Sequence, residues 1–239
     1  MARRRFFVDS IREGRAELSG EDAWHVARVL RAAPGQQYEI SDNRSAWLAE
    51  VVEAQAGRVV FRTLEPLATA GIPLRITVCA ALIQFAHFEW MIEKATELGA
   101  ARILPVEAAR GEKGLFEASR KRSERWTRIA REASQQCRRV SAPQILPAAK
   151  FEAALATAAA HRYLLEEGEA PALAGSLPGE RVQEAEAAVL AGPEGGWTDA
   201  ERRAAAAAGW QPVSLSPLVL RSETAVAAAL AVLVNAWMK

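Results

Sequence analysis

The sequence has few of the residues that mark secreted, metal-binding or membrane-spanning proteins. Among its 239 residues are only two cysteines, three histidines and two tyrosines. Cys79 and Cys137 form no CxxC motif and have no histidine pair nearby, which argues against a metal site or a disulfide framework. The longest apolar stretch, Thr224–Val234, is too short to cross a bilayer. The N-terminus has charge but no long apolar core, so it predicts no signal peptide, and we expect a cytoplasmic protein with no membrane association and no metal.

The composition is that of a globular protein. Hydrophobic residues make up 50% of the chain and charged residues 25%, which provides enough apolar surface for a core. This balance excludes a disordered chain, a collagen-like repeat and a disulfide scaffold. A length of 239 residues corresponds to one large domain or two small ones.

The net charge of +1 conceals an uneven distribution along the chain. Residues 110–139 carry ten basic and four acidic side chains, whereas residues 140–239 carry seven basic and eleven acidic ones. A concentrated positive excess indicates either a polyanionic partner or the solvated face of a helix.

Residues 1–68 predict a small, mostly β barrel. Short strand-like runs alternate with turn signals, and the runs are Arg5–Val8, Gln37–Ser41, Ala46–Val52 and Val59–Thr63. One helix is predicted at Ser19–Leu30, where Ser19 and Asp22 stand at the positions of a capping box that has Asp instead of Glu or Gln. Residues 65–73 contain two prolines and a glycine and predict a linker.

Residues 74–239 predict an α/β domain with a parallel sheet, because strands and helices alternate. The predicted strands are Leu74–Leu82, Arg102–Pro105, Tyr163–Glu166, Ala187–Ala191 and Pro212–Leu215. The predicted helices are Glu89–Leu98, residues 118–137, Thr198–Ala208 with a capping box, and Ser222–Trp237. The alanine runs Ala153–Ala160 and Ala204–Ala208 are also assigned to helices.

The predicted helix 118–137 has an apolar stripe opposite a basic face. The stripe consists of Trp126, Ile129, Ala130, Ala133 and Cys137. The basic side chains are Lys121, Arg125, Arg128, Arg131 and Arg139. Within the helix their only acidic companions are Glu124 and Glu132, and this imbalance favours a phosphate-binding surface over a solvated face.

The N-terminal run offers a second candidate contact with nucleic acid. Arg3, Arg4 and Arg5 could supply charge, while Phe6 and Phe7 could stack on bases. The alternative, which we favour for the two phenylalanines, is that they belong to the core of a first strand.

A glycine-rich turn follows the predicted strand Ala187–Ala191. The sequence Gly192-Pro193-Glu194-Gly195-Gly196 precedes a capped helix, and such turns let a ligand approach the backbone closely. The spacing is not GxGxxG and no lysine follows as in a P-loop, which argues against a nicotinamide-dependent oxidoreductase.

The C-terminal segment places a polar cluster at the start of an apolar helix. In Arg221-Ser222-Glu223-Thr224, Ser222 is the predicted N-cap and Glu223 suits the first helical turn. Arg221 is unfavourable beside the positive end of a helix, which indicates a phosphate or carboxylate partner.

These two segments, GPEGG and LSPLVLRSETA, together resemble the SPOUT class of methyltransferases and, within it, the RsmE family, which methylates N3 of a uridine in 16S ribosomal RNA. Further matching stretches are Arg4–Phe7, His25–Arg31, Glu93–Gly99, Ile103–Pro105, Arg125-Trp126 and Glu132–Arg139 followed by Pro143. The resemblance implies a PUA-like RNA-binding β barrel at residues 1–68 and a SPOUT domain at 74–239. It further implies a deep trefoil knot at about 187–239, S-adenosylmethionine as methyl donor, a homodimer, and a role in ribosome biogenesis on the small ribosomal subunit.

The resemblance also assigns site residues by position. The implied cofactor-binding residues are Leu190, Gly192, Glu194, Gly195, Gly196, Leu215, Leu220, Thr224 and Ala225. Arg221 and Glu223 are the candidates for the reacting site. The candidate RNA-binding residues are Arg4, Arg5, Arg125, Arg128 and Arg139, the last of which could instead contact the methionine carboxylate.

The chain departs from the family pattern at several positions. Residues 84–87 are Gln-Phe-Ala-His where the family has a Lys-Gly-Asp-Lys-like run, and Gly111, Ser216 and Leu218 replace Ser, Gly and Arg. His25, His87 and His161 are scattered along the chain and are not expected to be catalytic. Two alternatives remain, a SPOUT ribose 2′-O-methyltransferase and a catalytically silent RNA-binding protein of ribosome assembly.

Overall fold

The structure is a computed structural model that describes residues 4–68 and 71–238. Arg3, which belongs to the predicted N-terminal contact, lies outside the described residues. The described residues form two compact units: residues 4–68 and 71 with 131–142, and residues 72–130 with 143–238. The first unit therefore includes residues 131–142 from the middle of the chain, whereas the predicted first domain was the continuous segment 1–68.

The first unit contains a six-stranded, mostly antiparallel sheet. Its strands are β1 Arg5–Phe7, β2 Ile11–Arg12, β3 Arg15–Ser19, β4 Gln37–Ser41, β5 Ala46–Gln55 and β6 Arg58–Pro66. The spatial order is β1-β4-β5-β6-β3-β2, and only β1 and β4 pair in parallel. Its core is formed by buried apolar side chains that include Phe6, Leu18, Val26, Ile40, Val51 and Phe61.

The sequence pattern missed the hairpin of β2 and β3. The two strands are joined by Glu13 and Gly14, both at positive φ, so the turn occupies only two residues. A two-residue strand shows no alternation, and β3 buries only Ala16 and Leu18. Alternation over so few residues is too short to predict a strand.

The helix predicted at 19–30 is shorter and irregular, and the capping box is absent. An α-helix, α1, covers Gly20–Trp24, and a π-helical turn covers His25–Val29. Ser19 makes no side-chain cap. The Asp22 carboxylate instead accepts from Arg131 Nε at 3.1 Å.

The second unit contains a seven-stranded sheet in which every pair is parallel, so the predicted parallel α/β architecture is confirmed. The strands are β7 Leu74–Ala81, β8 Ala100–Glu107, β9 Gln144–Ile145, β10 Ala149–Lys150, β11 His161–Leu165, β12 Ala185–Ala191 and β13 Gln211–Val213. The order is β10-β8-β7-β12-β11-β13, with β9 also paired to β8. β7 buries every residue except Arg75, as expected for a strand covered on both faces.

The remaining helices are α2 Phe85–Glu97, α3 Leu115–Ser119, α4 Ser123–Gln136, α5 Phe151–Leu155, α6 Asp199–Ala207 and α7 Ser222–Trp237, and a 3₁₀ turn covers Leu173–Ser176. Two predictions were wrong here. The helix expected at 118–137 is divided into α3 and α4, since the amides of Lys121 and Arg122 bond to carbonyls three residues back. The alanine run 153–160 leaves the helix after Leu155, where Thr157 Oγ1 donates to the Ala154 carbonyl.

Helix α7 has the predicted bounds and is central to the core of the second unit. Val226, Ala229, Leu230, Leu233 and Trp237 are all at most 1% exposed. They belong to the same apolar cluster as the buried residues of β7 and α2. Within the described residues, 4–68 and 71–238, no helix is long and apolar enough to cross a bilayer.

Candidate functional site

The glycine-rich turn joins β12 to α6 in a conformation that requires glycine. Gly196 has φ of +64°, and its amide donates to the Pro193 carbonyl at 2.9 Å. A Cβ atom at Gly192 would lie 3.1 Å from Trp197 Cε2. The backbone of Gly192 therefore packs directly on the indole ring, and no larger residue fits there without displacement.

Three side chains fix the turn from outside it. The Trp197 indole donates to the Leu165 carbonyl at 3.2 Å, which ties the turn to β11. Arg110 Nη1 donates to the carbonyls of Gly195 at 3.0 Å and Trp197 at 3.2 Å. Buried Glu201 completes the capping box with Thr198 and also accepts from the Ala109 amide at 2.8 Å. Sequence reasoning missed Arg110, since nothing in its local sequence shows which carbonyls it reaches.

The start of α7 is bonded to the same turn. Ser222 Oγ donates to the Gly192 carbonyl at 2.7 Å, across 30 residues of sequence. The prediction that Ser222 is the N-cap was therefore wrong. Arg221 occupies the N-cap position with extended backbone and caps the helix with no side-chain hydrogen bond.

A cleft lies between the turn, the end of β11 and the residues before α7. Five of the predicted cofactor residues line it, namely Gly192, Gly196, Leu215, Leu220 and Ala225. Lining residues that the sequence did not predict include Leu165, Glu166, Glu167, Pro193, Trp197 and Ser222. A mostly apolar cleft with a few polar groups is the usual form of a small-molecule site.

Four predicted cofactor residues do not line the cleft. Leu190 is fully buried in β12, and its position in the sheet core explains its apolar character. Glu194 and Thr224 are exposed. Gly195 faces Arg110, whose Cβ would be 3.2 Å from an added Cβ at this glycine.

The candidate reacting residues, Arg221 and Glu223, differ in burial. Arg221 is exposed, whereas Glu223 is only 6% exposed. Glu223 Oε1 lies 3.2 Å from His87 Nδ1 on α2. Glu223 Oε2 is buried and has no hydrogen-bond partner. Because an unpaired buried charge is costly, the contact with His87 is the main stabilisation that the structure gives this carboxylate.

The basic face of the second unit is partly neutralised by another helix. Arg125 makes a bidentate ion pair with Glu89 of α2, with N–O distances of 2.7 and 2.8 Å. Arg122 also lies near Glu89 and stacks over the Phe85 ring. Arg128 is exposed. The charge balance within one helix therefore overestimated the free positive charge on this face.

In the first unit the predicted RNA-binding arginines have distinct surroundings. Arg4 is exposed and bonds to the His25 ring at 2.9 Å. Arg5 is only 4% exposed, pairs with Glu39 and donates to the Arg138 carbonyl, so the structure gives it a role in the core and not the predicted contact with RNA. Burial lowers the pKa of the Arg139 guanidinium, whose Nε donates to the Ser141 carbonyl.

The apolar stripe of the predicted basic helix is largely buried. Trp126, Ala130 and Ala133 are at most 5% exposed. Cys137 lies beyond the end of α4 and is exposed, so its assignment to the stripe was wrong.

Cys79 is the buried one of the two free cysteines. Burial in β7 raises the pKa of the Cys79 thiol to about 11, which leaves it protonated near neutral pH. In the part of the chain that the structure describes, no group of three or more His, Cys, Asp or Glu side chains is arranged to hold a metal ion.

Comparison with known proteins identifies the family. A family model described as an RNA methyltransferase domain matches residues 70–234. The chain is 31% identical to ribosomal RNA small subunit methyltransferase E of Synechocystis sp., over 93% of this chain and 74% of that protein. It is 33% identical to the protein of the same name from Mycobacterium tuberculosis, over 97% of this chain and 92% of the relative.

The fold agrees with these relatives. The structure superposes on that of a ribosomal RNA small subunit methyltransferase E from Neisseria gonorrhoeae bound to S-adenosyl methionine, with a TM-score of 0.89 and 27% identity. The superposition covers 99% of this chain and 98% of the other. The chain therefore belongs to the RsmE family of RNA methyltransferases.

Proposed function

We propose that this protein transfers a methyl group from S-adenosylmethionine to N3 of a uridine in small-subunit ribosomal RNA. The observation that carries the proposal is the cleft between the glycine turn and the start of α7, closed by the hydrogen bond from Ser222 to Gly192. The relatives named ribosomal RNA small subunit methyltransferase E and the cofactor bound in the Neisseria protein support the donor and the class of substrate.

The cleft residues fit S-adenosylmethionine. Leu165, Leu215, Leu220 and Ala225 supply apolar walls for an adenine ring, and the turn offers backbone amides and carbonyls. The Glu167 carboxylate at the rim can accept from ribose hydroxyls or an ammonium group, while Glu166 is already paired with Arg202. When bound, this donor supplies a sulfonium methyl group that is already electrophilic.

The chain's contribution to the chemistry is to position the uracil and manage charge and protons. Methylation at N3 requires loss of the imide proton, and negative charge then develops on the uracil oxygens. Arg221, exposed at the N-cap of α7, is placed to stabilise that charge. Glu223 and solvent are the two proton acceptors that the sequence suggested.

The first unit is proposed to be a PUA-like barrel that binds RNA, and the second to carry a trefoil knot in its last 50 or so residues. The curvature that a barrel needs is supported by two register shifts in the pairing of β5 with β6. The knot is supported by the hydrogen bond from Ser222 to Gly192, where the chain comes back to the glycine turn after 30 residues.

A homodimer is supported by large exposed apolar side chains, Trp90 on α2 and Leu218 and Val219 before α7.

Cofactor binding is expected to depend on the close approach of Gly192 to Trp197. A valine at position 192 would clash with the indole and displace the turn, so isothermal titration should show S-adenosylmethionine affinity reduced at least about 100-fold. Gly179→Val is the matched control, because a side chain at Gly179 would meet no atom within 4 Å. Equal affinity of Gly192→Val and wild-type protein would contradict the proposed cofactor site.

The product should carry its methyl group on the base. We expect purified protein with labelled donor and small-subunit particles to give 3-methyluridine after nuclease digestion and mass spectrometry. A methyl group on the ribose would instead block hydrolysis at that linkage and identify a 2′-O-methyltransferase. RNA binding without any methyl transfer would support the silent assembly protein.

Replacement of Arg221 should separate turnover from cofactor binding. We expect Arg221→Ala to lower kcat by roughly 100- to 1,000-fold, the usual cost of removing a group that stabilises developing charge. Donor affinity should stay within about threefold of wild type, since the arginine side chain is exposed outside the cleft lining. Arg203→Ala removes an exposed arginine of α6 and serves as the control. Retained turnover in Arg221→Ala would exclude this role.

RNA affinity should fall steeply with salt if the basic residues contact phosphates. Neutralising about four phosphates of single-stranded RNA predicts a loss of roughly 50-fold over a fourfold rise in salt. Arg128→Ala should reduce the slope of log affinity against log salt by about 0.7, and Arg203→Ala should leave it unchanged. Filter binding at several salt concentrations measures both slopes, and a flat wild-type response would show that this face is only solvated.

A further inference from the structure

A histidine and a buried glutamate form a contact that the proposed mechanism does not yet use. His87 Nδ1 and Glu223 Oε1 are 3.2 Å apart. The His87 side chain is 37% exposed, whereas that of Glu223 is 8% exposed. A buried carboxylate in contact with a more exposed imidazole is the arrangement in which an acid residue orients a histidine base.

The pair joins the first turns of α2 and α7. His87 lies in the first turn of α2, which packs against α7. Glu223 directly follows Ser222, whose hydroxyl bonds to Gly192 and which lines the cleft. Glu223 is thus one residue from a cleft-lining residue in the first turn of α7.

The geometry determines which nitrogen of His87 is basic. For Nδ1 to donate to Glu223 Oε1, the neutral ring must carry its proton on Nδ1. Nε2 then has a free lone pair. Histidine is the side chain that most often serves as a general base in enzymes.

We propose that His87 Nε2 is the general base that removes the uracil N3 proton, and that Glu223 orients His87. The proposal rests on the proposed function and identifies the proton acceptor in it. As the N3–H bond breaks, the proton passes to Nε2 and the lone pair stays on N3. That lone pair forms the bond to the donor methyl group, and the electrons of the broken carbon–sulfur bond remain on sulfur. The imidazolium, stabilised by the Glu223 carboxylate, then loses its proton to water.

Other groups nearby are less suited to accept this proton. Glu223 Oε2 is buried, so solvent cannot directly remove a proton that this oxygen has accepted. Arg221 is a permanent cation and cannot accept a proton. Glu89, on the same helix as His87, is held in its bidentate pair with Arg125. On β8, which also packs against α2, Arg102 pairs with Glu186 and Glu107 ends the strand.

The first test needs neither cofactor nor RNA. In a ¹⁵N-edited NMR spectrum near pH 8.5, where histidines are neutral, we expect wild-type His87 to show its proton on Nδ1. Glu223→Leu should shift the ring toward the Nε2–H tautomer. The chain has only three histidines, so His87→Ala assigns the signals. An Nε2–H tautomer in wild-type protein would overturn the proposal, since that nitrogen could not act as a base.

The second test is chemical rescue. His87→Ala should lower kcat by about 10²- to 10⁴-fold with donor affinity near wild type, and added imidazole should restore part of the rate. The melting temperature should fall, because the buried Glu223 carboxylate loses its partner. The matched control is His161→Gln, which should retain wild-type kcat. His161 begins β11 and contacts Trp237 at the C-terminal end of α7. Unchanged kcat in His87→Ala, or a loss that imidazole does not restore, would overturn the role of His87. Absence of methyl transfer by the wild-type protein would refute the proposed function, and the NMR experiment would still decide whether the pair exists.

Discussion

The hydrogen bond from Ser222 Oγ to the Gly192 carbonyl is the contact on which the site depends. It joins the first turn of α7 to the glycine-rich turn after β12. Because α7 is buried along most of its length, its start cannot move without disturbing the core of the second unit. The bond therefore gives a flexible glycine turn the rigidity of a core helix, and it brings Glu223 and Arg221 next to the cleft.

The turn itself is stabilised from its other sides by groups of different chemistry. Trp197 fills the space that a side chain at Gly192 would take and donates to β11, while Arg110 bonds two carbonyls of the turn. Glycine provides the close approach, and the surrounding side chains remove the conformational freedom that glycine adds. A preorganised pocket of this kind binds a ligand with less loss of entropy.

Charge in this protein is organised by contacts between elements. Glu89 on α2 neutralises Arg125, and Asp22 pairs with Arg131 within the first unit. Glu223 is buried with one oxygen on His87 and the other without a partner. An exposed arginine such as Arg128 and a buried carboxylate such as Glu223 thus have different surroundings, which their position in the sequence does not reveal.

The sequence by itself determined the alternation of strands and helices, the capped helix α6, the bounds of α7 and the glycine turn, since each depends on residues close together in the chain. Local pattern failed for the two-residue strands and for the helix ends at 119 and 155, where backbone amides bond to carbonyls three residues back. Only the tertiary structure brought Arg110 to Gly195, buried Arg5 on Glu39, and set His87 against Glu223. These partners lie 34 to 136 residues apart, and contacts at such distances in sequence form only when the chain packs into its sheets.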